Sequence, residues 1–254
     1  MEDIKIKIDK PLLKLVVGGD VHAGSMNADL KSFEAMIQFV RQRHCKLILM
    51  GDLVEGITPM DSRFDVDNVD RKMLATEEQL TYIEQQLEKI KGKLIGTYMG
   101  NHYGKLAKSI GNYKTEMCKH LDCHYLGGHA TIDLNMPNRA WVVEGWHGVG
   151  GGYEDGSVMN RQIKDLRKFE ADIYLMGHSH RLFHFPKVRK NGGNFKYHFF
   201  CDTGAFLKSY EIGTVGYGEM KGYDPLPIGF IEINLAEDRL PIVNERYLEN
   251  GKFM

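Results

Sequence analysis

The sequence predicts an α/β fold in which two mixed β-sheets pack face to face with helices outside. The first half of the chain alternates short apolar runs with segments that carry apolar residues at helical spacing. This alternation is typical of a parallel sheet with crossover helices. The second half carries paired runs that alternate apolar and polar residues, which is typical of antiparallel strands. The two patterns together favour mixed sheets.

The first half contains three buried strands, predicted over 12–17, 47–50 and 94–99. Helices are predicted over 30–40, 74–90 and 113–121, and the polar stretch 58–68 is predicted to be a loop. Each strand ends in glycine followed by an aspartate or asparagine, namely Asp20, Asp52 or Asn101. In parallel sheets, ligands bind outside the carboxyl ends of the strands. We therefore expect a site at this edge.

The second half is predicted to be mostly antiparallel. Its predicted strands are 130–134, 140–146, 173–176, 181–188, 195–200, 228–235 and 241–248, with a helix over 158–169. Asn191-Gly192-Gly193 separates two of these strands and indicates a hairpin. A chain of 254 residues can form one α/β domain with a sizeable core, so we expect a single domain over 1–254.

Composition narrows the class of protein. The formal net charge is −1, which argues against a global attraction to nucleic acid or membrane, although a local basic strip could still bind nucleic acid. The four cysteines show no C-x-x-C spacing, and the charged N-terminus lacks the apolar core of a signal peptide. No run approaches the ~18 apolar residues of a membrane span. We expect a cytoplasmic protein with reduced thiols and no membrane partner.

Five short motifs follow one another along the chain and carry metal-ligating side chains. They are Asp20-Val21-His22, Gly51-Asp52, Gly100-Asn101-His102, Trp146-His147 and Gly177-His178-Ser179-His180. Seven of their side chains are good ligands, namely Asp20, His22, Asp52, Asn101, His147, His178 and His180. Seven ligands are too many for one ion that also holds substrate. They suit two ions that share a bridging carboxylate and keep positions open for water and phosphate.

These motifs resemble the signature of the calcineurin-like metallophosphoesterases, which is D-x-H, G-D-x-x-[DE], G-N-H-[DE], a single His and G-H-x-H. The segment from Trp146-His147-Gly148 to Gly204-Ala205-Phe206 is similar to phage and bacterial members related to DNA-repair nucleases. The chain departs from the signature at Tyr103, where the family usually has an acidic residue.

The resemblance implies a four-layer sandwich with a dimetal site at strand ends. It implies one ion on Asp20, His22, Asp52 and His180, and a second on Asp52, Asn101, His147 and His178. It also implies that His102 donates a hydrogen bond to phosphate and protonates the leaving oxygen. The family's acidic residue is thought to orient this histidine. In this chain the hydroxyl of Tyr103 or another carboxylate could orient it, or the histidine could lack an orienting group. Glu55 ends the G-D-x-x-[DE] motif, and support of a ligand is expected there.

Three further features have less specific interpretations. Tyr103 and Lys105 are candidate substrate contacts, and for Lys105 a solvated helix face is an equal alternative. The glycine run 148–152 lacks the Lys-Ser/Thr ending of a P-loop, so that kind of nucleotide site is not expected. A basic hairpin, formed by Lys187, Arg189, Lys190 and Lys196, is expected to be a solvated edge.

The function expected from these features is metal-dependent hydrolysis of phosphoric esters. The first expectation is a phosphodiesterase or nuclease acting on single-stranded DNA or RNA. The alternatives are a phosphomonoesterase for nucleotides or phosphoproteins and a non-catalytic binding scaffold. The expected cofactor is two divalent ions, with Mn²⁺ preferred for a mixed nitrogen and oxygen site and Fe, Zn or Ni as alternatives.

Overall fold

The computed structural model describes residues 3–57, 61, 64–103, 106, 111–150, 154–166, 168–211, 217–220 and 222–254. Two β-sheets pack face to face, and helices cover their outer faces. The predicted α/β sandwich of two mixed sheets flanked by helices is therefore confirmed.

The first sheet has seven strands in the order β13-β12-β11-β2-β3-β4-β5. These are β2 (Leu12–Gly18), β3 (Lys46–Leu49), β4 (Leu94–Tyr98), β5 (His124–Gly127), β11 (Ile228–Ala236), β12 (Ile242–Glu249) and β13 (Lys252–Phe253). Strands β2 to β5 are parallel, whereas β11 pairs antiparallel with β2. The parallel strands place the carboxyl ends of β2, β3 and β4 side by side.

The second sheet has six strands in the order β1-β6-β7-β8-β10-β9. These are β1 (Ile4–Lys7), β6 (His129–Asn135), β7 (Ala140–Trp146), β8 (Ile173–Met176), β9 (Leu182–Asn191) and β10 (Asn194–Thr203). β7, β8 and β10 are parallel neighbours, and β9 returns antiparallel along β10 as the edge strand. The ends of β7 and β8 thus lie at one edge.

The helices form the two outer layers. Within the described residues, the helices with defined ends are α1 (Leu30–Arg43), α2 (Thr76–Glu88), α3 (Tyr113–His120), α4 (Asp155–Leu166) and α5 (Tyr217–Met220). Buried side chains of α1, α2 and α3 pack on the seven-stranded sheet, and Ile163 of α4 packs near Tyr174 and Phe200 of the other sheet. Between the sheets, a continuous apolar core includes Val17, Ile48, Val143 and Leu175. No helix over the described ranges combines the length and apolar content that a membrane crossing requires.

Most predicted elements are present with shifted ends. The helix expected over 158–169 begins earlier and ends earlier, at Asp155–Leu166. Four short elements were not predicted, namely β1, β5, β13 and α5. Strand β1 is held by parallel pairing of Ile4 with Ile132, a contact between residues far apart in sequence. Local patterns carry no signal for such pairing.

Candidate metal centre

The ends of neighbouring strands bring the candidate ligands together. Backbone hydrogen bonds lock these ends, since the N–H of Asp20 donates to the carbonyl of Gly51 at 3.0 Å and that of His22 to the carbonyl of Asp52 at 3.0 Å. Glycine is needed where the segments touch. A Cβ atom on Gly100 would lie 1.9 Å from Oδ1 of Asp52, so a larger residue would displace this carboxylate.

Five of the seven candidate ligands have a left-handed backbone conformation. The φ angles are 50° for Asp20, 50° for His22, 42° for Asp52, 66° for His178 and 60° for His180. Non-glycine residues rarely adopt this conformation, and it concentrates at functional sites. Asp20 and His22 lie beyond the end of β2 and belong to one group of ligand atoms. His178 and His180 lie beyond the end of β8 and belong to two different groups.

The first group of ligand atoms comes from Asp20, His22 and His180, within 4.8 Å of one another. The Nε2 atoms of the two imidazoles lie 3.3 Å apart. Oδ1 of Asp20 lies 3.5 Å from Nε2 of His180 and 3.9 Å from Nε2 of His22. Asp20 is fully buried, and within the described part of the chain no donor makes a hydrogen bond to this Oδ1 atom. A buried carboxylate oxygen without a donor is suited to bind a cation.

The second group comes from Asp52, His147 and His178, again within 4.8 Å. Nε2 of His147 lies 3.1 Å from Oδ2 of Asp52 and 3.1 Å from Oδ1 of Asn101. Nδ1 of His147 donates to the carbonyl of Met50 at 2.7 Å, because a carbonyl oxygen only accepts. If the ring is neutral, Nε2 presents a lone pair to two oxygen acceptors. Only a proton or a metal cation satisfies three converging acceptors.

A third group joins Glu55 to the centre. Oε2 of Glu55 lies 2.8 Å from Nδ1 of His22, and the backbone carbonyl of Glu55 lies 2.6 Å from Nδ1 of His102. The imidazoles of His22 and His102 are in edge contact, with centroids 4.7 Å apart. Support of a ligand by Glu55 was expected from its motif position, whereas its contact with His102 was not.

Protonation states in the metal-free centre follow from burial and from these contacts. Burial lowers the pKa of His22, but the bonded Glu55 carboxylate outweighs it and raises that pKa to about 9. Burial and the charge of His147 lower the pKa of His178 to about 4. Burial raises the pKa of Asp52, yet the bonded His147 holds it well below its usual range. His22 thus holds a proton where a cation would bind.

The structure buries Tyr103, for which a substrate contact was predicted. Tyr103 is 7% exposed, and its hydroxyl accepts a hydrogen bond from the N–H of Lys114 at 2.6 Å and donates to the carbonyl of Gly111 at 3.4 Å. The side chain packs beneath α3, and both hydrogen bonds of its hydroxyl are made to backbone atoms of that region. The carbonyl of Glu55 orients His102 instead. Lys105, the other predicted contact, lies outside the described residues.

Two residues that the motifs did not single out support the turn that carries His178 and His180. The Ser179 hydroxyl donates to Oδ2 of Asp202 at 2.8 Å and accepts the N–H of Arg181 at 3.1 Å. Asp202 is fully buried at the end of β10, and burial raises the pKa of its carboxyl well above the usual value. In the sequence, the only indication of this support was the Ser residue between the two histidines.

No family model matches this chain, and no curated protein matches it. Its fold is similar to Vacuolar Protein Sorting 29 from Cryptosporidium parvum, with 16% identity, 96% of both chains covered and a TM-score of 0.49. A metallophosphoesterase from Sphaerobacter thermophilus gives 13% identity, coverage of 93% of this chain and 89% of the other, and a TM-score of 0.46. Vps29 from Entamoeba histolytica complexed with Zn²⁺ is 12% identical, with 95% of this chain and 96% of the other covered and a TM-score of 0.45. None of the three reaches a TM-score of 0.5.

Proposed function

We propose that this protein is a metal-dependent phosphoesterase that uses two divalent ions. The observation that carries the proposal is the convergence of potential metal ligands at two points, one at Nε2 of His147 and one at Nε2 of His22, where a cation can replace a proton. In each ring the other nitrogen is bonded to an oxygen that only accepts. A pair of cations would satisfy both points.

The donor set fits two ions rather than one. Asp20, His22 and His180 would hold the first ion, and Asn101, His147 and His178 would hold the second. Asp52 is proposed as the bridging ligand, since it contacts His147 and also carries the charge that acts on His22. Mn²⁺ is the preferred ion, with Fe, Zn or Ni as alternatives for the same nitrogen and oxygen donors.

Bound divalent ions supply a water of lowered pKa and neutralise charge on phosphoryl oxygens. The chain contributes an imidazole held beside this centre. Nδ1 of His102 donates to the carbonyl of Glu55, so Nε2 is the nitrogen available for a proton transfer. Burial and the charge of His22 lower the pKa of His102 in the metal-free protein. A substrate phosphate would raise this pKa again by its negative charge and favour the protonated, acidic form.

The proposed substrate is a phosphodiester in single-stranded nucleic acid. Phosphomonoesters of nucleotides or phosphoproteins are the second candidate class. A binding scaffold without activity is disfavoured, because it has no need for seven converging metal ligands.

The test is hydrolysis by full-length protein freed of metal with chelator and then titrated with Mn²⁺. Bis(p-nitrophenyl) phosphate, p-nitrophenyl phosphate and single-stranded DNA are the three substrates, and metal content is measured in parallel. We expect about two bound ions per chain and faster hydrolysis of the diesters. Faster hydrolysis of the monoester would favour the phosphatase, and two bound ions without hydrolysis would favour the scaffold. Failure to bind metal would overturn both the phosphodiesterase and the phosphatase.

A further inference from the structure

The β9–β10 hairpin projects an aromatic and basic patch at the end of its sheet opposite the metal centre. Residues directly opposite in an antiparallel pair share a face, and here Phe195 pairs with Lys190 and Tyr197 with Val188. We call these four residues the hairpin patch. Phe195 is 66% exposed, Val188 51% and Tyr197 42%, which is unusual for aromatic side chains of a regular strand. One face thus presents two aromatic rings beside a lysine.

The charge of the hairpin restricts what this patch can bind. Residues 182–199 contain four Lys or Arg residues and no Asp or Glu. Lys196 lies 2.8 Å from Glu170, and Arg189 lies 3.8 Å from the same residue, on the opposite face of the hairpin. Among the described residues, Lys187 and Lys190 have no carboxylate within ion-pair distance. An anionic partner is favoured, and a second copy of the same basic hairpin is disfavoured by repulsion.

We infer that the hairpin patch is an accessory binding site for single-stranded nucleic acid. Exposed aromatic residues on a sheet surface stack unpaired bases, and neighbouring Lys residues contact the phosphates. A duplex would offer only its phosphates and leave the aromatic rings without a partner. The patch therefore combines the two contacts that an unpaired strand requires.

The position of the patch relates it to the metal centre and deepens the proposed nuclease function, on which its role in hydrolysis rests. His180 lies two residues before the start of β9, and Val188 of this strand lies eight residues beyond His180 in the sequence. At ~3.3 Å per residue this separation is on the order of 26 Å. A strand with bases stacked at ~3.4 Å must be about eight nucleotides long to reach from one to the other. Only substrates of at least this length would contact the hairpin patch and the metal centre at the same time.

The test measures binding separately from hydrolysis. Full-length protein is kept in chelator, and its affinity for a fluorescein-labelled twelve-nucleotide oligothymidylate is measured by fluorescence anisotropy. We expect the double variant Phe195→Ala/Tyr197→Ala to bind about tenfold more weakly, because each stacked base contributes appreciably. Phe195→Tyr/Tyr197→Phe should retain binding. Tyr247→Ala, at a 40% exposed tyrosine of the other sheet, is the matched control and should bind as wild type.

Salt dependence tests the phosphate contact independently of the aromatic rings. Lys190→Gln should reduce the slope of log Kd against log salt by about 0.7, the value for one lost contact to a single strand. Lys252→Gln on the edge strand β13 should leave the slope unchanged. An unchanged slope in Lys190→Gln would show that Lys190 does not contact the phosphates of the strand.

Substrate length tests the link to the metal centre. With Mn²⁺ restored, the double alanine variant should show a raised KM on the twelve-nucleotide strand and an unchanged kcat/KM on a dinucleotide. If the wild type does not hydrolyse either substrate, the proposed nuclease function is wrong, but the binding measured by anisotropy still supports the hairpin patch as a binding site. The inference is overturned if wild type fails to bind the oligonucleotide or if the double variant binds it equally well. It is also overturned if the variant loses only binding to phosphatidylserine vesicles or to a polyglutamate peptide.

Discussion

Nδ1 of His22 lies 2.8 Å from Oε2 of Glu55, which fixes the tautomer of an imidazole inside the candidate metal centre. A carboxylate bonded to the remote nitrogen of a ligating histidine orients the ring and increases its basicity. The same contact raises the pKa of His22 to about 9 against the opposing effect of burial. Glu55 therefore sets how readily His22 exchanges its proton for a cation.

Glu55→Gln should weaken metal binding by about 10- to 100-fold while the fold is retained. The amide loses the charge that makes the His22 ring basic, but the backbone carbonyl that contacts His102 remains. Titration with Mn²⁺ followed by calorimetry measures the effect. Glu245→Gln is the matched control, because Glu245 makes the same kind of contact with His184, at 2.6 Å. Equal metal affinity in Glu55→Gln and wild type would show that Glu55 does not support a ligand.

Asp52→Asn should abolish hydrolysis and leave the protein folded. Asn has nearly the same shape and tolerates the left-handed conformation that Asp52 adopts at φ 42°. It removes the negative charge proposed to bridge the two ions, which should cost several kcal/mol of metal activation. The rate on a phosphodiester at saturating Mn²⁺ checks this. A rate above about a tenth of wild type would be incompatible with an essential bridge.

The control for Asp52→Asn is Asp172→Asn. Asp172 accepts the N–H of Val142 at 2.9 Å outside the centre, so this substitution removes a carboxylate charge without touching the ligands. Near-wild-type rates are expected for it, and circular dichroism should show both variants folded.

His102→Ala should lower kcat by ~10²–10⁴-fold on substrates with poor leaving groups, the usual contribution of a general acid. The loss should be smaller with nitrophenol, which leaves without a proton. His184→Ala, at another half-buried histidine bonded to a glutamate, should keep the wild-type rate. Because His102 also belongs to the group with His22 and Glu55, metal content must be measured in the same sample. Loss of an ion would make His102 a ligand, and equal losses on both leaving groups would indicate a role in phosphate positioning.

The sequence predicts where in the fold the candidate ligands lie, but it predicts less of the local backbone conformation that orients them. Apolar runs such as 12–17 and 47–50 report buried strands directly, and the polar residue after each run marks the carboxyl edge where the candidate ligands meet. The left-handed turns at Asp20 and His178 carry no such signal. Long-range hydrogen bonds hold them, for example from the N–H of His178 to Oδ2 of Asp20 at 3.0 Å.

Local sequence patterns also do not predict the direction in which a side chain points. Tyr103 adjoins His102 in sequence, which suggested a place at the site. The hydroxyl of Tyr103 instead accepts the N–H of Lys114, which follows it by eleven residues, and the ring packs beneath α3. The solvated edge expected at 187–196 did not identify the exposed aromatic ring of Phe195, because the exposure of a strand residue depends on which distant parts of the fold pack against it.

Lys114 is a buried lysine whose titration should appear in the pH dependence of stability. It is 4% exposed, and its Nζ atom donates to the carbonyl of Tyr98. Burial lowers the pKa of Lys114 from 10.5 to about 8. Between pH 8 and 10.5 the unfolded chain therefore holds one proton more than the folded protein at this residue. Its contribution to the free energy of unfolding rises with pH across this window and is constant below pH 8.

Lys114→Met should remove this rise. The variant should gain stability relative to wild type at pH 7, and the gain should shrink by on the order of 3 kcal/mol as the pH reaches about 10.5. The lost hydrogen bond to Tyr98 shifts the free energy equally at every pH, so the slope is the diagnostic quantity. Urea unfolding at pH 7, 8.5 and 10 measures it, with Lys119→Met as a control at a 67% exposed lysine of the same helix. A difference between variant and wild type that stays constant from pH 7 to 10 would show that Lys114 titrates normally despite its burial.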